Sequence, residues 1–201
     1  MMVKDPFSED IDSIKDVRQI ILVAANGLIA ELGYEQITMS MMAKRAGIPV
    51  EQLAEHYPNK QQVLNDLVGH HLHVREGIRA FTRADPGLSP LQSYLRELEL
   101  LLEYMSKHRG TLQAYMENLS EIDPWIEDRI DLHRNQDVEL LEKARDLKEL
   151  PLVNATSLEA VLYGTLWELI SEHFTMTGTT DFEAIPGVVS SRVLEPLLAY
   201  R

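Results

Sequence analysis

Residues 37–67, ITMSMMAKRAGIPVEQLAEHYPNKQQVLNDL, carry more information than any other part of this chain. They read as two short helices joined by a tight turn, with a longer helix starting just after. Thr38 can cap the first helix, its hydroxyl accepting an orphan backbone N–H of the opening turn. Met39, Met42 and Ala43 recur at three- and four-residue steps, the period of an amphipathic helix. Gly47 ends that helix, where a left-handed backbone costs least without a Cβ. Leu53, Ala54 and Tyr57 are expected to form the apolar side of the next helix. Pro58 stops it, and Asn59 with Gln62 makes a capping-box pattern for the third. Helix, glycine turn, helix is the helix-turn-helix layout, whose second helix can lie in the major groove of DNA.

The rest of the chain reads as nearly all helix, so the fold class is all-α. A long helix is expected over residues 60–82, broken by Asp85-Pro86-Gly87. Ser89-Pro90 with Gln92 starts another, with Leu91, Tyr94, Leu95, Leu98, Leu101, Leu102 and Met105 as its stripe. Arg109-Gly110 marks a junction before a shorter helix over 111–119. Asp123-Pro124 opens a further helix, with Trp125, Ile126, Ile130, Val138, Leu141 and Leu147 at helical spacing, and Leu150-Pro151 closes it. Thr156 with Glu159 opens the next, running to about residue 176. A Gly-Thr-Thr loop and a final helix after Pro186 complete the chain.

Composition narrows the function classes. The chain has 201 residues, 45% of them hydrophobic, enough for a packed core. A formal charge of −13 argues against non-specific binding to nucleic acid or to an anionic membrane surface. There is no cysteine, hence no disulfide and no thiolate metal site. No run approaches the length of a membrane span and no signal peptide is visible, so a cytoplasmic protein with no membrane partner is expected. No G-x-S-x-G, G-x-x-x-x-G-K or H-E-x-x-H motif suggests catalysis, and no enzyme activity or cofactor is expected.

The 37–67 segment resembles the DNA-binding domain of the TetR family of bacterial transcriptional repressors. The likeness begins at residues 18–34, RQIILVAANGLIAELGY, which match the family's first helix: an apolar stripe, paired alanines and a closing Gly-Tyr. It continues through Ile37-Thr38, Met42-Ala43, Ala46-Gly47-Ile48, Leu53, His56-Tyr57-Pro58-Asn59-Lys60 and Val63-Leu64. About a quarter of the chain is covered. The resemblance implies a DNA-binding head over 1–58, including an arm over 1–16, and a helical ligand-binding and dimerisation body over 59–201. It implies a homodimer through the last two helices, a palindromic DNA operator, a small-molecule inducer and a repressor role.

This chain departs from the family at the recognition helix. Pro49 stands where a small hydroxyl residue is usual, Val50 where a basic residue is frequent, and Ala54 where a phosphate-touching tyrosine is common. Glu51 and Glu55 sit four apart, on one face. The arm carries Asp5, Glu9, Asp10, Asp12 and Asp16 against Lys4 and Lys15, where many relatives are basic. By analogy Lys44, Arg45 and Lys60 are the candidate phosphate contacts, Gln52 the base reader, and His56 a further donor. A second reading follows from the same residues: a TetR fold that has lost operator binding and holds a ligand or a protein instead.

In the body, Tyr94, Tyr104, His108, Tyr115, Trp125, Tyr163 and Trp167 are candidates for an inducer pocket, since these side chains combine apolar walls with polar tips. Arg109 is the main nearby cation in sequence, which favours a hydrophobic ligand over an anion. Leu158, Val161, Leu162, Leu166, Leu169, Ile170 and Phe174 exceed one core stripe, as do Val189, Val193, Leu194, Leu197 and Leu198; the excess fits a dimer interface. Asp66, His70 and His73 share a helix face, and Glu76 follows. Such a cluster can bind zinc or nickel, but it equally describes a polar face or a pH-sensitive hinge, and no metal is assigned.

Overall fold

A computed structural model describes Phe7, Ile14 and residues 16–175 and 184–199. Among them no strand occurs, and the helices follow the order expected from sequence: α1 (Val17–Leu32), α2 (Met39–Ala46), α3 (Val50–His56), α4 (Lys60–Arg83), α5 (Pro90–Lys107), α6 (Arg109–Glu117), α7 (Pro124–Asp146), α8 (Ala155–Thr175), α9 (Ile185–Val189) and α10 (Glu195–Leu198). A π-helical turn, Ser190–Leu194, joins the last two. The chain divides into two compact units, one of Met2–Arg75 with His108–Asp128, the other of Glu76–Lys107 with Arg129–Arg201.

In the first unit, Asp16 caps α1, accepting from the Arg18 backbone N–H at 2.9 Å. Ile21, Leu22, Ala24, Ala25, Leu28 and Ile29 form its buried stripe; Met42, Ala43, Leu53, Tyr57, Leu64 and Leu67 are buried as well, and α1 packs on α2 and α2 on α3. Burying one Leu or Ile side chain contributes roughly 1.5–3 kcal/mol, so this cluster is the main favourable term holding these helices together. Helix α6 packs on α1 so closely that a Cβ on Gly110 would lie 3.2 Å from the Cα of Ala30. The Thr111 hydroxyl donates to Asn26 Oδ1 at 2.8 Å, and the Asn26 amide nitrogen lies 3.4 Å from His108 Nδ1. The junction expected at Arg109-Gly110 falls earlier, at His108, and α6 already includes Arg109 and Gly110.

In the second unit the reciprocal box at α5 forms as read. Ser89 N–H donates to Gln92 Oε1 at 3.0 Å, and Gln92 N–H to Ser89 Oγ at 3.3 Å. Leu91, Tyr94, Leu98 and Leu102 are buried, but so are Ser93 and Glu97, which the stripe omitted. Helix α7 ends at Asp146 rather than Leu150, and Lys148 takes a left-handed φ of 63° just beyond it. Leu147, read as part of the apolar face, is 65% exposed. The cap of α8 is Asn154, whose side chain accepts from Ser157 N–H at 2.8 Å, so the helix starts one residue before Thr156. The Gly-Thr-Thr loop lies outside the described residues.

Candidate functional site

The head is assembled as the sequence suggests. Thr38 Oγ1 accepts from Met41 N–H at 3.2 Å, and Gly47 takes φ 70°, ψ 26°, its N–H closing on Ala43 and Lys44 carbonyls. That left-handed residue turns the chain from α2 into α3. Pro49 precedes α3 with no side-chain cap, so the family's usual hydroxyl is missing in function as well as in identity. At the exit Asn59 Oδ1 accepts from Gln62 N–H at 2.9 Å, starting α4.

Tyr57 anchors α3 to α4. Its phenol donates to Asp66, which also pairs with Arg18 at 3.1 Å, and the Arg18 guanidinium lies 5.0 Å from the Tyr57 ring centroid. Burial, then the Asp66 bond, pushes the phenol pKa upward, so Tyr57 is a fixed neutral donor. Tyr34 plays the matching part for α1, donating to Gln61 Oε1 at 3.0 Å; burial raises it to about 12.

These anchors leave a defined face of α3 to solvent. Leu53 is buried, while Val50, Glu51, Ala54 and Glu55 are exposed and Gln52 and His56 are half-buried. Ala54 was expected on the apolar side; its outward position leaves that side to Leu53 and Tyr57. Among the described residues the side chains of Glu51, Glu55 and Lys44 have no hydrogen-bonding or ionic partner. The other two candidate phosphate contacts are engaged. Arg45 is paired with Glu31 through both guanidinium nitrogens, one at 3.0 Å, which raises the pKa of the arginine and lowers that of the carboxylate. Lys60 Nζ donates to the Tyr34 carbonyl at 3.2 Å and lies 4.3 Å from the Tyr34 ring centroid. Apart from Asp16, the acidic residues of the arm fall outside the described residues.

The seven candidate ligand residues separate into two sets. In the second unit Tyr94 and Tyr104 are buried, and Tyr163 and Trp167 stack on α8 with centroids 6.2 Å apart and planes 10° from parallel. The Arg134 guanidinium lies 4.4 Å from the Tyr163 centroid and holds buried Glu159 in a two-bond fork, both at 2.9 Å. In the first unit His108 is buried beside His71, 5.0 Å between centroids, with Phe7 5.1 Å from His71 and 5.4 Å from His108. Tyr115 is half-buried. Trp125 is 44% exposed and lies across Gly69 of α4, where a Cβ would come within 2.5 Å of its ring. The suspected metal cluster disperses: Asp66 serves Tyr57 and Arg18, Glu76 pairs with Arg129, and among the described residues no His, Cys, Asp and Glu group could hold an ion.

Sequence reasoning missed the buried ion network of the second unit. Arg79 is 4% exposed and donates to Glu97 at 2.9 and 3.2 Å, to Asp137 at 2.5 Å and to Gln136. Arg83 donates to the Gln136 carbonyl at 3.0 Å, and burial, then Arg79, lowers its pKa. One signal was present: Glu97 lies three residues after Tyr94 and one before Leu98, on the apolar side of α5.

Comparison with known proteins agrees with this geometry. The family of bacterial regulatory proteins, tetR family, matches residues 21–67. An uncharacterized HTH-type transcriptional regulator of Bacillus subtilis, YhgD, is 25% identical over 103 residues, 51% of this chain and 53% of that protein, so the chain aligns with about half the length of this relative. The fold is similar to that of the fatty acid degradation regulator FadR from Bacillus halodurans, with a TM-score of 0.73 and 19% identity over 92% of this chain and 98% of that one. It is also similar to the TetR family transcriptional regulator PfmR from Thermus thermophilus, with a TM-score of 0.71 and 17% identity over 87% and 97%. Residues 21–67 thus match the N-terminal domain of the tetR family of bacterial regulatory proteins, and the fold over most of the chain is similar to that of solved regulators such as PfmR.

Proposed function

We propose that the protein is a dimeric, ligand-responsive transcriptional regulator, a repressor that binds a palindromic DNA operator through α3. The observation that carries this is the turn at Gly47, which sets α3 against α2 and leaves Val50, Glu51, Ala54 and Glu55 exposed. The functional division is a head of residues 1–58 and a body of 59–201. In the head, Lys44 supplies the free phosphate contact, Gln52 and His56 border the reading face, and Arg45 and Lys60 reach phosphate only by leaving their present partners. Dimerisation through α8 and the C-terminal helices is supported by the outer face of α8, where Ala160, Val161, Gly164 and Glu168 are exposed, Val161 by 53%. Two heads can then meet half-sites one helical turn apart. The effector is a hydrophobic small molecule, held by the aromatic residues of the body, and it shifts the equilibrium only by favouring one head separation over another.

The competing reading, a head that no longer binds DNA, draws on the same unpaired carboxylates. Comparing wild type with Glu51→Lys/Glu55→Lys on random duplex DNA at low salt separates the two. A regulator binds in wild-type form and loses sequence preference in the double variant. A disarmed head binds only after the charge reversal.

A further inference from the structure

The two carboxylates on the exposed face of α3 are a specific problem for a DNA-binding helix. A carboxylate that enters the groove loses water and meets a field of phosphates, so it opposes binding unless a base donates to it. In the major groove the exocyclic amino group of cytosine is such a donor, pairing with Glu or Asp. Glu51 and Glu55 point to solvent from one side of the helix and are not held by any neighbouring cation among the described residues. Arg45 and Lys60, the Arg and Lys nearest to them in sequence, are held by Glu31 and by Tyr34.

We infer that Glu51 and Glu55 are the specificity-determining residues of this head, and that each accepts a hydrogen bond from a cytosine amino group in the operator. This rests on the DNA-binding reading above. Four residues of helix rise by about 6 Å, and successive base pairs by about 3.4 Å, so the two carboxylates address cytosines about two steps apart. Val50 and Ala54, exposed beside them, offer apolar contact to thymine methyl groups. The same carboxylates repel every duplex that lacks donors at those two places. Specificity here comes from rejection as much as from attraction.

The test is selection and sequencing of random duplexes with wild type, Glu51→Gln and Glu55→Gln. Both substitutions are at exposed positions and keep the side-chain shape. Wild type should enrich half-sites with two cytosines about two steps apart. Each glutamine variant should lose one cytosine preference, roughly ten- to hundredfold in affinity ratio, and turn toward adenine, which an amide can pair. Both variants should bind unrelated duplex more tightly than wild type. A wild-type palindrome whose base preferences survive both substitutions overturns this inference and leaves the regulator reading standing. No enrichment by wild type at any salt concentration overturns both.

Discussion

Arg79 sits 4% exposed in the second unit with every guanidinium edge occupied by Glu97, Asp137 or Gln136. An ion in such a place is tolerated because the pairing is complete, not because ion pairs stabilise in general. Arg79→Met should therefore cost about 3–5 kcal/mol in urea unfolding, since two buried carboxylates lose their partner. Adding Glu97→Leu and Asp137→Leu should recover most of that loss; a triple variant as weak as the single one would contradict this account. His71 makes the opposite case. Loss of hydration, then His108 and His70, lowers its imidazole from 6.5 to about 3. The unfolded chain thus binds a proton that the folded one refuses. The contribution is fully present above pH 6.5 and is lost as pH falls toward 3, with a slope of up to about 1.4 kcal/mol per pH unit. His70, shifted down chiefly by burial, adds to the upper end of that window. His71→Leu should flatten the stability profile between about pH 6.5 and 4.5 relative to wild type, as read by urea midpoints across a pH series.

Helix boundaries and caps were legible where a short local pattern fixes them. Thr38, Asn59 and the Ser89–Gln92 box each act within a few residues; Thr38 and the Ser89–Gln92 box form as read, while of the Asn59–Gln62 box only the bond from Gln62 N–H to the Asn59 side chain forms. What stayed hidden depends on residues far apart in sequence. Glu97 looks like a surface charge until Arg79 and Asp137 arrive to meet it. That Trp125 lies across Gly69 of α4 depends on a residue 56 positions away in sequence. Periodicity also placed Ala54 inward because a methyl side chain suits either face. The fit of Trp125 over Gly69 has a direct consequence. Gly69→Ala would put a Cβ 2.5 Å from the indole, so the ring must leave its seat on α4. The chain has two tryptophans, and in a Trp167→Phe background the emission of Trp125 should shift to the red with a stability loss of about 1–3 kcal/mol. Unchanged emission and stability would show that the contact does not position the first turn of α7.

For the whole molecule, the central claim is that a chain of formal charge −13 binds DNA through a head with few free cations. Total charge sets the background repulsion, while the residues of α2 and α3 set the local field. The affinity of a DNA-binding protein falls with salt in proportion to the phosphates it neutralises, with a log–log slope of about −0.9 per contact. If Lys44 alone serves in each of two heads, the slope is about −2; if Arg45 and Lys60 also release their partners, it approaches about −5. The most direct test is to recover duplexes bound by the wild-type protein from a random pool at several salt concentrations and to measure the affinity of the winners across that series. A palindrome with half-sites one helical turn apart, and a slope nearer about −2 than about −5, is what this account predicts. No enriched sequence even at the lowest salt would contradict it.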